Sequence, residues 1–337
     1  MEELEKFIKR VPKAELHVHL DGSALPKTLH EFSKKIDWLP TLSLEEFEQR
    51  MRVPDACRSL PDYLATFQLV LPYLQTSEIL ERTAYDMMMQ AAADNVKYME
   101  VRFSPGLHLQ RGLTVDEVID SVLSGLKAGG REYGIETGLI ICGIREKDPA
   151  LSLYLAERAA AKKDSGVVAI DLAGNEVEYE GLLHKAAFDY AFNHGMHITV
   201  HAGEAQGAWS IKEALEKLHA ERIGHGIRLY EDEALVEYFK EQQIPLEVCP
   251  TSNVQTRTVK SIEEHPAKEY LKKGLKVTIN TDSRTASNVS LTEEYLRVAK
   301  AWDLTKAQVA KLARNSFESA FLNESGKKEL INRLTFD

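Results

Sequence analysis

The chain has 337 residues, 44% of them hydrophobic and 28% charged, a globular composition that excludes a disordered chain and leaves ample sequence for a large core. Its formal net charge of −10, with no long Lys/Arg-rich run, argues against nucleic acid or an anionic membrane as partner and favours a small neutral or cationic ligand. Cys57, Cys142 and Cys249 are odd in number and outside any C-x-x-C pair, so reduced thiols in a cytoplasmic, unanchored protein are expected.

The first residues, MEELEKFIKRVPK, form a charged amphipathic segment without the apolar stretch of a secretory leader. Short β-rich runs then recur: ELHVHL at 15–20, KYMEVRF at 97–103, TGLIICGI at 137–144 and VVAIDLAG at 167–174. HITVHAG at 197–203, RIGHG at 222–226, PLEVCP at 245–250 and KVTINTD at 276–282 complete the series. Segments with helical periodicity separate these runs, and no linker, repeat or low-complexity stretch divides them. Eight such units predict a single α/β domain over residues 1–337, a closed (β/α)8 TIM-type barrel. A doubly wound sheet is the alternative, but no G-x-G-x-x-G follows the first strand to support its dinucleotide-binding form.

About seventy-five residues separate the first two strands, where a simple β/α unit needs only around thirty. Extra helices are therefore expected at about 28–90, inserted after strand 1. Leu60, Tyr63, Leu64 and Phe67 share one face of such a helix at i, i+3, i+4, i+7 spacing. Core packing is the leading reading of that face, and a hydrophobic lid over the barrel mouth is the second.

In a strand, alternate residues face one side, so His17 and His19 project together and two imidazoles about 7 Å apart along the strand can share a metal. The other strand ends add to them. VHAGE carries His201 with Glu204 three residues on, IGHG carries His225, and NTD ends in Asp282. All fall at predicted carboxyl ends of strands, the face on which barrel active sites are built. Three histidines and a carboxylate from strands 1, 5 and 8 suit Zn²⁺ and other borderline divalent ions, with a position left for solvent. The remaining histidines, His30, His108, His184, His194, His197, His219 and His265, lack such partners and are read as surface or core residues.

KAELHVHLDGS, DLAGNE, TVHAGE, ERIGHGIRL, LEVCPTSN and VTINTD, in this order and spacing, closely resemble the adenosine deaminases of the metal-dependent amidohydrolase superfamily. The resemblance runs from about Pro12 to NSFESAFL near the C-terminus. It implies a (β/α)8 barrel with one catalytic Zn²⁺ per chain and hydrolytic conversion of adenosine, and of 2′-deoxyadenosine, to inosine and ammonia in purine salvage. By matching motifs, His17, His19, His201 and Asp282 are the implied zinc ligands. Glu204 is the implied acid that protonates purine N1, and His225 orients the attacking water and holds its proton. Gly174 resembles the position whose backbone N–H meets purine N3, and Asp21 the residue that holds a ribose hydroxyl.

Asp21 also resembles the nucleoside-directed version of the family: relatives acting on free adenine typically carry glutamate there, and nucleotide-directed ones asparagine. One departure stands out. Familiar members read NTDD, whereas this chain reads NTDSR, so Ser283 stands where a second aspartate meets purine N7 and its hydroxyl is the expected donor there. The alternatives are a deaminase of a modified adenosine or of free adenine, and, less favoured because every motif residue is present, an inactive nucleoside-binding barrel. Oligomeric state leaves no trace in the sequence.

Overall fold

The structure, a computed structural model, describes residues 2–336. Among these, eight strands form one sheet in chain order: β1 Lys13–His19, β2 Val96–Phe103, β3 Glu136–Ile144, β4 Val167–Ala173, β5 His197–Ala202, β6 Arg222–His225, β7 Leu246–Val248 and β8 Val277–Ile279. Every neighbouring pair is parallel. The ring closes where Val18 bridges Asp282. There the His19 N–H donates to the Asp282 carbonyl at 2.7 Å, and the Asp282 N–H donates to the His17 carbonyl at 3.0 Å. The expected (β/α)8 barrel is thus formed, and the open doubly wound sheet is excluded by this closure.

Strands such as β2 and β4 are buried on both faces, by the barrel interior and by the helices outside, so apolar residues dominate β4 while β1 and β2 also bury charged Glu15, Glu100 and Arg102. Helices begin and end on local chemistry. Val115–Tyr133 opens with a capping box between Thr114 and Glu117, stops at Gly134, and buries Val118, Ile119 and Val122. A large continuous apolar core runs from Phe7 to Phe336, with a smaller separate cluster of Ile140, Ala169 and Phe321.

Between β1 and β2 stand the helices Pro26–Ser33, Leu44–Arg50, Leu60–Ala65, Phe67–Val70 and Ser77–Ala93. The single helix expected through Leu60 and Phe67 is interrupted. At Thr66 the N–H turns back only three residues, to the Tyr63 carbonyl at 3.1 Å, and two short helices result. Tyr63 and Phe67 remain packed edge to face, their ring centroids 5.8 Å apart. All four residues of the predicted apolar face line a cavity of about 400 Å³ whose wall includes strand-end residues His201 and His225. Leu60 and Tyr63 are buried and Leu64 and Phe67 half-buried, so core packing describes only part of that face. Among the described residues no helix is long and apolar enough to cross a membrane.

Candidate active site

The barrel brings His17 and His19 from β1, His201 from β5, His225 from the end of β6 and Asp282 from just beyond β8 to one place. His225 and Asp282 both take left-handed backbone, each at φ +63°, a conformation that non-glycine residues adopt rarely and often at functional sites. Asp282 Oδ1 lies 3.5 Å from His17 Nε2 and 3.4 Å from His19 Nε2, and the Nε2 atoms of His19 and His201 are 3.2 Å apart. Ligand atoms about 2.1 Å from one tetrahedral ion stand about 3.4 Å from each other. The Nε2 of His17 is buried without a hydrogen-bond partner, as a ligand lone pair would be. The residues present therefore fit a divalent cation. Atoms of His17, His201, His225 and Asp282 also lie within 4.8 Å of one another, so distance alone does not separate His225 from the ligand set.

Beneath the cluster lies a layer of buried charge that sequence reasoning missed. His17 Nδ1 donates to Glu247 Oε2 at 2.9 Å, and His201 Nδ1 donates to Asp171 Oδ2 at 3.0 Å. Arg102 ties the two carboxylates together, 2.9 Å from Asp171 Oδ2 and 2.7 Å from Glu247 Oε2. Arg222 reaches the other Glu247 oxygen at 2.7 Å. Burial would raise both carboxyl pKa values. Pairing with His201 and Arg102 instead holds Asp171 well below its usual range, and the charges of Arg102 and Arg222 do the same for Glu247. The signal was a charge in the middle of an apolar strand, Asp171 in VVAIDLA and Glu247 in LEV.

Glu204 sits in the loop after β5, which Glu176 holds. The Glu176 carboxylate accepts backbone N–H groups from Gly203 at 2.7 Å, Glu204 at 3.0 Å and Ala205 at 2.6 Å. Glu204 Oε2 is 3.6 Å from His225 Nε2, and Thr256 donates to Oε1 at 3.4 Å. Burial, then the charges of Asp282 and Glu176, push the Glu204 carboxyl well above its ordinary pKa. Burial and neighbouring His17 push His225 well below its own. A neutral acid and a neutral imidazole therefore share the cavity wall.

Asp21 also lines the cavity, accepting the Gly22 N–H at 3.0 Å, and burial raises its pKa to about 6. Gly174 lines it too. Its backbone at φ +104° and a Cβ position only 2.3 Å from Glu146 Oε2 both require glycine there. Ser283 departs from expectation. After Asp282 the chain folds back, with the Ser283 N–H on the Thr281 carbonyl at 2.7 Å, and the side chain packs under Gly22, where an added Cβ would meet Ser283 Oγ at 2.2 Å. Ser283 is fully buried, is absent from the cavity wall, and its hydroxyl has no partner, so this packing does not offer it to a base. Tyr63 is on the wall instead, its hydroxyl 2.9 Å from Ser287 Oγ.

A closed parallel barrel whose strand ends converge imidazoles and carboxyls on an apolar-walled cavity defines a barrel hydrolase with a centre fitted to hold a metal ion. Residues 12–336 match the family described as adenosine deaminase. The adenosine deaminase of Clostridium acetobutylicum is 38% identical over 332 residues, 98% of this chain and 99% of that protein. Among solved structures, an adenine deaminase from Arthrobacter aurescens is 29% identical with a TM-score of 0.88, covering 96% of this chain and 97% of its own. The N6-methyl-AMP deaminase of Arabidopsis thaliana is 26% identical with a TM-score of 0.85, covering 98% and 97%. The chain belongs to the adenosine deaminase family.

Proposed function

We propose that this chain catalyses hydrolytic deamination of adenosine, and of 2′-deoxyadenosine, to inosine and ammonia, with one zinc ion held by His17, His19, His201 and Asp282. The observation that carries the reading is the buried Glu204 carboxyl, pushed toward its protonated form beside neutral His225 and the ligand cluster. The substrate follows from full-length relatives named adenosine deaminase at 38% and 40% identity.

When bound, zinc in such a site supplies a hydroxide nucleophile at neutral pH. Attack at C6 breaks the aromaticity of the ring and drives electron density to N1, where Glu204 delivers its proton. His225 hydrogen-bonds the attacking oxygen, the Gly174 N–H meets N3, and Asp21 holds a ribose hydroxyl. The apolar wall of Leu60, Leu64 and Phe67 covers the base and keeps bulk water out. Water thus supplies the oxygen on C6 and two protons, one retained on N1 and one leaving with ammonia.

With a pKa of about 6, Asp21 is mostly ionised at neutral pH and would repel a 5′-phosphate by roughly 1–4 kcal/mol at 4 Å. That supports nucleoside over nucleotide. The large continuous core from Phe7 to Phe336 supports reading residues 1–337 as one domain whose inserted helices form the lid, and three free buried cysteines support the cytoplasm. Metal-loaded protein should be offered adenosine, 2′-deoxyadenosine, adenine, AMP and N6-methyl-AMP, with the ultraviolet change on deamination followed. Adenosine and its deoxy form should be turned over fastest; preference for adenine or a nucleotide would replace this substrate.

A further inference from the structure

Three of the clustered imidazoles differ in what stands behind them. His17 and His201 place Nδ1 on carboxylates, which can only accept, so Nδ1 carries the proton and each Nε2 is a bare electron pair. Behind His225 stands an amide instead: Asn253 Nδ2 is 3.0 Å from His225 Nδ1.

The polarity of that contact is set further back. The backbone N–H of Ala267 can only donate, and it donates to His265 Nδ1 at 3.1 Å. His265 is buried, and burial drives its pKa down to about 3, so the ring is neutral and its one proton sits on Nε2. That Nε2–H donates to Asn253 Oδ1 at 3.2 Å. With its oxygen so engaged, Asn253 turns its NH₂ group toward His225, whose Nδ1 must accept. The only proton of His225 is then on Nε2, the nitrogen 3.6 Å from Glu204 Oε2.

We propose that Asn253, oriented by His265 and the Ala267 N–H, is a positioning residue that locks His225 as the Nε2–H tautomer, a hydrogen-bond donor into the cavity and not a metal ligand. This deepens the deaminase reading and rests on it for the role of His225, while the tautomer itself does not depend on the substrate. With Nε2 already protonated, His225 steadies the attacking oxygen by donating to it and does not take its proton in the resting state. Two nearly equivalent rings in one cluster thus have opposite duties, decided by a carboxylate behind one and an amide behind the other.

The test is long-range ¹H–¹⁵N correlation on metal-loaded protein labelled with ¹⁵N-histidine, with His225 assigned by its loss in His225→Gln. The expected pattern is a protonated, pyrrole-type Nε2 and a bare, pyridine-type Nδ1. A protonated Nδ1, or an Nε2 shifted by metal coordination, would overturn the proposal. Asn253→Asp should reverse the pattern, because a carboxylate accepts from Nδ1. It should lower kcat by about 10² or more while metal content and affinity for 1-deazaadenosine, which lacks the N1 to be protonated, stay within a few-fold. His265→Gln keeps a donor toward Asn253 Oδ1 and should retain the tautomer and most of kcat, whereas His265→Phe should lose both. An unchanged tautomer and kcat in Asn253→Asp would also overturn it. If the Nε2–H tautomer is found in a protein that does not deaminate adenosine, the substrate reading fails and the tautomer assignment stands.

Discussion

His17 Nδ1 stands 2.9 Å from Glu247 Oε2, with neither side chain reaching solvent. The same carboxylate oxygen accepts from Arg102, whose other terminal nitrogen reaches the Asp171 behind His201. Two imidazoles from different strands are therefore aimed by one buried, charge-balanced bridge. Neutralising one end should loosen the centre without emptying it. Asp171→Asn is expected to weaken zinc binding about 10–100-fold, read by competition with a chelator. Arg102→Met leaves two buried carboxylates without their shared cation and should destabilise the fold by about 3–5 kcal/mol in denaturant titration. Unchanged metal affinity in Asp171→Asn would mean that the carboxylate does not aim His201.

Glu204→Gln keeps size and polarity but removes the transferable proton. Metal content and nucleoside binding should persist while kcat falls about 10²–10⁴-fold. Because burial and the charges of Asp282 and Glu176 raise this carboxyl, the active form is the protonated one, and wild-type kcat should decline on the alkaline side as Glu204 ionises. Little change in kcat for the glutamine variant would remove Glu204 from the mechanism.

Ser283 tests the packing against the motif. A buried hydroxyl without a partner costs about 1–3 kcal/mol of desolvation, so Ser283→Ala should hold or raise stability. Its affinity for 1-deazaadenosine should stay within about twofold, since no base contact is lost. A tenfold loss for this ligand, but not for its 7-deaza counterpart, would restore the N7 role. Gly22→Ala should be far worse, because its Cβ would collide with Ser283 Oγ and with Phe67 of the cavity wall.

Glu294 supports the site from behind. Its Oε1 accepts the Thr251 N–H at 3.1 Å, in the helix Pro250–Gln255 that carries Ser252 and Asn253, and its Oε2 has no partner. Burial raises this carboxyl from its ordinary 4.5 to about 8. Between those values the folded chain keeps a proton that the unfolded chain has lost, so its contribution to stability falls as pH rises and levels off above about 8. The slope is at most about 1.4 kcal/mol per pH unit. Glu294→Gln should remove that slope, gaining on wild type in chemical denaturation as pH is raised; parallel stability curves would show that the carboxyl is ionised in the fold.

The eight strand positions, the strand-end histidines, Glu204 and Asp282 were legible in the sequence because each rests on local chemistry. Apolar runs of strand length, turns after them and polar residues at their carboxyl ends repeat within single β/α units. Along β1 polar Lys13, Glu15, His17 and His19 alternate with apolar Ala14, Leu16 and Val18, which marks the pleat although both faces are buried. The break at Thr66 was missed because periodicity reports which residues share a face and says nothing of a hydrogen bond drawn back by one residue. What tertiary structure alone decided is the electrical arrangement behind the strand ends. His17 meets Glu247 across 230 positions and Arg102 meets Glu247 across 145, contacts that exist only once the register of the closed barrel is set. The same closure set Ser283 under Gly22 and put Asn253 behind His225. Residue type and spacing name the groups that can reach a site, whereas the direction of each hydrogen bond within it depends on partners brought from other strands and loops.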